Sequence, residues 1–194
     1  MTQLDSVMAK VRAENRAALI AYIPAGFPSK SGCAKAIQAL ADAGVDAIEI
    51  GFPYSDPVMD GPVIQAASEQ AIANGVGVDQ VFDLLKTSVE YGAPSVVMSY
   101  WSPIEKYGAA KFAAAVSDAG GSGVVTPDLT IEESELWKSE ASDKSINRIY
   151  VVAPSTSQER LPKVSSECSG FIYAASSMGV TGTRSSVSIS AKSL

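Results

Sequence analysis

The chain has 194 residues, 46% of them apolar and 19% charged, a net charge of -6 and no histidine. That is enough for one domain with a buried core, and the acidic balance, without any Lys or Arg run, argues against nucleic acid or an anionic membrane as partner. Without imidazole there is no Ser-His or Cys-His nucleophile and no histidine zinc site, so acid/base chemistry falls to carboxylates, Tyr, Lys or Cys.

Residues 4–16 read as a short amphipathic helix, and the apolar run 17–24 (AALIAYIP) as the first strand. Ser29 or Ser31 can cap a helix carrying Cys33, Ile37, Leu40 and Gly44 at intervals of three and four. Asp46 to Ile50 is a second strand, followed by a helix opening at Asp60-Gly61-Pro62. Val78 to Glu90 is a helix, Ala93 to Tyr100 a strand, Ile104 to Ala119 a helix, and Gly123 to Val125 a strand. Helices at 132–141 and 158–166 then alternate with strands at 148–153 and 170–175. Three joints, DAGVDAIEI, EYGAPSVVM and DAGGSGVVT, put Gly at a helix end just ahead of an apolar strand. Strands alternating with helices predict a parallel sheet, and six units in a row favour a β/α barrel over an open sheet.

No basic-then-apolar leader opens the chain and no run of about 18 apolar residues interrupts it, so a soluble, cytoplasmic protein is expected. Cys33 and Cys168 lie outside any C-x-x-C pattern and are expected to be reduced.

Chemistry concentrates in 47–72, AIEIGFPYSDPVMDGPVIQAASEQAI. Glu49 interrupts a strand that should be almost continuously apolar, and a carboxylate buried there must be paired, protonated or useful. Asp60 follows in the loop, at the strand edge where α/β folds bind ligands. The plainer readings are a structural ion pair for Glu49 and a helix N-cap for Asp60. An EF-hand fails on spacing, because Val58 and Ala67 fall at the third and twelfth positions counted from Asp56, and no metal site is expected. The Gly/Ser/Thr-rich stretch 176–186, with Arg184, is either a surface loop or a phosphate-binding lid; it lacks both nucleotide fingerprints.

The motifs YIPAGFP (22–28), DAIEIGFPYSDPVMDGPVIQ (46–65), MSYWSPIEKYG (98–108), TPDLTIEE (126–133) and YAASSMGVTGTR (173–184) together resemble the tryptophan synthase α chain family. The resemblance implies a TIM (β/α)8-type barrel that cleaves indole-3-glycerol phosphate to indole and glyceraldehyde 3-phosphate. It implies no cofactor in this chain, and a β chain partner, holding pyridoxal phosphate, in an α2β2 assembly. By position, Glu49 matches the family's acid/base, Asp60 the carboxylate that accepts the indole N–H, and Tyr173 the tyrosine beside them. Tyr22, Tyr100 and Val125 match residues around the indole ring, Thr181 and Gly182 the loop closing over the phosphate, and Asp56 and Pro57 the β chain contact. Ser102, Thr126 and Thr130 depart from the family's usual residues.

A barrel of this type takes eight units and about 250 residues. Residues 1–194 are therefore expected to form a single partial barrel of about six units, without strands seven and eight. Two alternatives stay open: a non-catalytic partial barrel that keeps only a subunit-binding surface, and a lyase that releases indole without a partner.

Overall fold

In the computed structural model, which describes residues 1–176, every strand pairs in parallel with the next one in sequence. The strands are β1 (Ile20–Pro24), β2 (Ala47–Gly51), β3 (Ser95–Met98), β4 (Gly123–Thr126), β5 (Asn147–Val152) and β6 (Tyr173–Ala174). The helices are α1 (Gln3–Ala13), α2 (Lys30–Asp42), α3 (Pro62–Ala73), α4 (Val78–Glu90), α5 (Trp101–Tyr107), α6 (Ala109–Asp118), α7 (Glu135–Asp143) and α8 (Arg160–Glu167). Together the strands make a half-barrel with helices outside, as the alternating pattern predicts. The order β1 to β6 has no crossover within the sheet, which is the winding expected when each strand is followed by a helix that returns the chain to the same end.

The period of two divides each strand between two cores. Outward-facing Ile48, Ile50, Val97, Val124 and Tyr150 pack beneath the helices with Phe112 and Trp137. Inward-facing Ala47, Val96, Val125 and Ile149 meet Leu4 of α1 inside the half-barrel. All five residues of β2 are buried, as befits a strand covered on both faces.

Helix α1 plugs the N-terminal end of the strands. Its capping box is formed by Thr2 and Asp5, with the Asp5 N–H donating to Thr2 Oγ1 at 3.1 Å and the Thr2 N–H to Asp5 Oδ2 at 2.8 Å. The same two side chains engage the first residue of β5, the Thr2 hydroxyl donating to Asn147 Oδ1 at 2.6 Å and Asn147 Nδ2 to Asp5 Oδ1 at 2.9 Å. At the start of β2, the Arg16 guanidinium grips both oxygens of Asp46 and holds that carboxyl down at about 2.

Glycines at the three recurrent joints, Gly44, Gly92 and Gly120, all have positive φ, so the C′ reading holds. Elsewhere the chain departs from the sequence reading. The helix expected over 104–119 is two helices, because Gly108 at φ +98° cannot continue a right-handed turn. The expected sixth strand shrinks to Tyr173–Ala174, and the first strand starts three residues later than the apolar run, at Ile20. Asp60 is not an N-cap: that position of α3 belongs to Gly61, with Pro62 as the first helical residue. Cys33 and Cys168 are free thiols, and among the described residues no helix is long and apolar enough to cross a membrane.

Candidate active site

Register brings the inward-facing residues of the strands together toward the C-terminal end of the half-barrel. Tyr22 of β1 lies beside Glu49 of β2, and Glu49 beside Val96 of β3. One rung further on, Met98 pairs with Val125 of β4. At the far side β6 sets Tyr173 against Val151. Between these residues opens a cavity of about 270 Å³, lined by Ile20, Tyr22, Glu49, Asp60, Ile64, Met98, Phe171 and Tyr173. Its wall is mostly apolar, with a few polar groups converging from different elements, the usual composition of a small-molecule site.

Glu49 is 4% exposed. It has no ion pair or hydrogen bond among the described residues, so the structural-pair reading fails. Burial alone pushes its pKa up to about 7, because the anion loses water and gains nothing in return. Such a carboxyl exchanges a proton near neutrality.

Asp60 reaches the cavity from the loop between β2 and α3. Its backbone oxygen accepts from Gln65 Nε2 at 2.7 Å, which ties the loop's end to the first turn of α3. Burial raises its pKa, and a hydrogen bond with Tyr100 opposes that rise. An Asp60 eased toward its anion by the helix, as its place before α3 suggests, is therefore not what the structure shows: desolvation outweighs the other influences.

Two tyrosines complete the mouth, Tyr22 and Tyr173, each 36% exposed. Both phenols are pushed toward the neutral form, first by burial and then by negative charge, that of Asp60 followed by Glu49 at Tyr22 and that of Glu49 at Tyr173. Gly51, at the end of β2, lets Tyr22 lie flat across the strand, since a Cβ there would collide with the Tyr22 hydroxyl and ring.

The remaining sequence-derived residues fall in three groups. Tyr100, 5% exposed, stands behind Asp60 rather than in the cavity wall. Val125 is fully buried in the inner core beneath the cavity. Asp56 and Pro57 sit on the rim in the loop after β2, where Ser55 Oγ donates to Asp56 Oδ2 at 2.6 Å and Val58 is 68% exposed. Thr181, Gly182 and Arg184 lie outside the described residues. Sequence reasoning missed Ile20, Ile64, Met98 and Phe171 as cavity walls. Three of them could have been found by counting in twos from Tyr22, Tyr173 and Tyr100, while Ile64 needed the position of α3. Among the described residues no cluster of acidic or thiol groups could hold a metal.

The family model described as Tryptophan synthase alpha chain matches residues 8–194. The tryptophan synthase alpha chain of Thermobifida fusca is 50% identical over 194 residues, covering all of this chain and 72% of the relative. That of Nocardia farcinica is 47% identical over 193 residues and 73% of its length. A solved structure of Mycobacterium tuberculosis tryptophan synthase superposes with a TM-score of 0.91 at 44% identity, covering 95% of this chain and 72% of that one. A tryptophan synthase subunit alpha from Legionella pneumophila superposes with a TM-score of 0.86 at 32% identity, over 90% of this chain and 68% of that one.

Proposed function

Because the chain belongs to the tryptophan synthase alpha chain family, we propose that Glu49 and Asp60 carry out the family's lyase reaction at the mouth of this half-barrel. The substrate is indole-3-glycerol phosphate and the products are indole and glyceraldehyde 3-phosphate. One observation supports the assignment above the others: a carboxyl nearly fully buried, without a partner among the described residues and with its pKa pushed up to about 7, lines a cavity that a second carboxylate also lines.

The chemistry needs two proton movements. Carbon 3 of the indole ring takes a proton, which makes the ring an iminium centred on its nitrogen. The bond from that carbon to the glycerol chain then breaks while the adjacent hydroxyl loses its proton, giving the aldehyde; the bonding electrons return to the ring and restore indole. Glu49 supplies the first proton and can take the second, since at about 7 neither form is far out of reach. Asp60, as the anion, accepts the ring N–H and stabilises the positive charge that develops there. Tyr22, Met98 and Phe171 supply flat apolar walls for the ring, and Tyr173 closes the side next to Glu49. Both proton steps fall to carboxylates, so this chain is assigned no cofactor.

The partner is a tryptophan synthase β chain, in an α2β2 assembly, with pyridoxal phosphate on the β side. Asp56, Pro57 and the exposed Val58 on the rim are the surface that meets it. Thr181 and Gly182 are assigned to the substrate's phosphate.

Indole release from indole-3-glycerol phosphate tests the reading. Turnover should fall by roughly a hundredfold or more in Glu49→Gln, and Asp60→Asn should lose a comparable factor through the transition state rather than through KM. Unchanged turnover in Glu49→Gln removes Glu49 from the chemistry. A cooperatively folding chain that releases no indole yet binds the β chain reduces the function to subunit binding.

A further inference from the structure

Glu49 owes its burial to neighbours that can be named one side at a time. Below it on the inner face of β2 is Ala47, fully buried with Leu4, Val96, Val125 and Ile149. To one side stands Val96 of β3 and to the other Tyr22 of β1, each paired with Glu49 across the sheet. Above it, toward the mouth, the next inward-facing residue of β2 is Gly51, which has no side chain to close that side. Tyr22 closes it instead. Its ring leans from β1 across Gly51 so closely that a Cβ there would lie 2.6 Å from the ring carbon Cζ and collide with the hydroxyl. A flat ring thus lies one rung above Glu49, on the side of the open end. Both residues line the same cavity, yet Glu49 is 4% exposed and Tyr22 36%.

We propose that Tyr22 is a positioning residue for Glu49, its ring serving as the cover that keeps water off the carboxyl at the mouth of the half-barrel. The role rests on the reading of Glu49 as the group that exchanges the proton, and it goes beyond the ring contact with substrate assigned to Tyr22 above. A carboxyl without a hydrogen-bond donor is held neutral by the exclusion of water, and burial is the cause of the raised value at Glu49. The groups that face it set the sign of what uncovering does. The titratable ones that share the cavity are Tyr22 from β1, Asp60 from the loop before α3 and Tyr173 from β6. To the inner face β3 brings Val96 and Met98, β4 Val125, and α1 Leu4 and Met8. No Lys or Arg among the described residues lines the cavity. Water is therefore what would stabilise the Glu49 anion, and the Tyr22 ring stands on the side from which water enters.

Three variants separate a cover from a contact. Tyr22→Leu and Tyr22→Ala leave side chains too short to lie across Gly51, whereas Tyr22→Phe keeps the ring and loses only the hydroxyl. The carboxyl carbon of Glu49, followed by NMR in the chain without substrate, should titrate about one unit or more below the parent in the first two and close to the parent in the third. An unmoved midpoint in Tyr22→Leu and Tyr22→Ala overturns the proposal. An equal fall in Tyr22→Phe overturns it too, since the hydroxyl would then be the agent. Kinetics supplies a second readout, because kcat/KM reports the groups of the free enzyme and an acid that ionises earlier is lost earlier on the alkaline side. The ratio of parent to Tyr22→Leu in kcat/KM should widen between pH 5 and pH 8, by roughly tenfold for a midpoint one unit lower, on top of a constant loss of ring contact. A ratio that is the same at every pH leaves Tyr22 a wall for the ring and refutes the cover. If Glu49→Gln keeps full activity, the assignment of Glu49 to the chemistry fails, while the NMR midpoints still decide whether Tyr22 covers it.

Discussion

At the N-terminal end of the half-barrel Asp5 is met by the Thr2 N–H and the Asn147 amide, whereas at the C-terminal end Glu49 is met by no donor among the described residues. Burial acts on both carboxyls in the same direction. At Asp5 it is outweighed by hydrogen bonds from Thr2 and Asn147, and the pKa ends below its ordinary value. At Glu49 burial acts alone and the pKa climbs to about 7. One end of the barrel thus uses a carboxylate to fasten a helix across the strand ends. The other withholds partners from a carboxylate and keeps it ready to exchange a proton, at a cost to stability.

The largest expected break in this contrast is Glu49→Gln. Activity should fall by roughly two to four orders of magnitude, while the fold gains stability in alkaline solution. The native state holds the Glu49 proton up to about 7, whereas the unfolded chain releases it near the ordinary value of 4.5. Between those pH values the native state binds more protons, so stability falls as pH rises through the window and levels off above it. The full effect is about 3 kcal/mol, and Gln escapes it. Urea unfolding at pH 5 and pH 8 should show the variant nearly level with the parent at the first and clearly ahead at the second. A constant gap would mean that Glu49 is not desolvated as the structure has it.

Gly51→Ala sharpens the same end with a smaller effect. The added methyl meets the Tyr22 hydroxyl and ring, so a side chain that lines the cavity must shift. Overpacking of this kind costs roughly 1–3 kcal/mol, and kcat/KM should fall about tenfold with it. Adding Tyr22→Leu should restore the lost stability but not the turnover. If Gly51→Ala alone is silent in both assays, the Tyr22 ring does not rest on the strand.

How much of this could be read beforehand differs between the two ends. Glu49 stood out because a single acid in the run AIEIG contradicts a two-sided burial pattern, and the structure buries it as that run implies. Asp60 was found by its place after a strand, but the N-cap reading was one residue off, since Gly61 holds that position and local sequence sets a helix boundary only to within a residue or two. Tyr100 could be named from resemblance, yet its bond to the Met59 N–H depends on how a ten-residue loop folds back over β3, a contact without sequence periodicity. The alternation of strands and helices was legible throughout because apolar runs, glycine joints and helical faces agreed with one another. It failed at Gly108, where an otherwise continuous helical pattern hides a change of direction, and in 170–175, where apolar residues outnumber the two that pair as strand.

At the satisfied end the expected effect is smallest and confined to stability. Asp5→Ala removes half of the capping box and leaves the Thr2 N–H and the Asn147 amide without their acceptor. Loss of a cap of this kind costs about 1 kcal/mol, and solvent near this half-exposed site limits any further penalty. Indole release should stay within about twofold of the parent, because α1 meets the inner core through Leu4 and Met8 and contributes none of the residues that line the cavity. Stability lost in Asp5→Ala should also depend on pH in the direction opposite to Glu49. The native Asp5 carboxylate is favoured, so its contribution is present above the ordinary value of 3.8 and disappears as pH falls through the lowered native value. Parent and variant should therefore converge on acidification, whereas parent and Glu49→Gln diverge on alkalinisation. If Asp5→Ala instead cut turnover as deeply as it cut stability, the two ends would be coupled through the inner core, and the division of labour between a fastened carboxylate and a withheld one would fail.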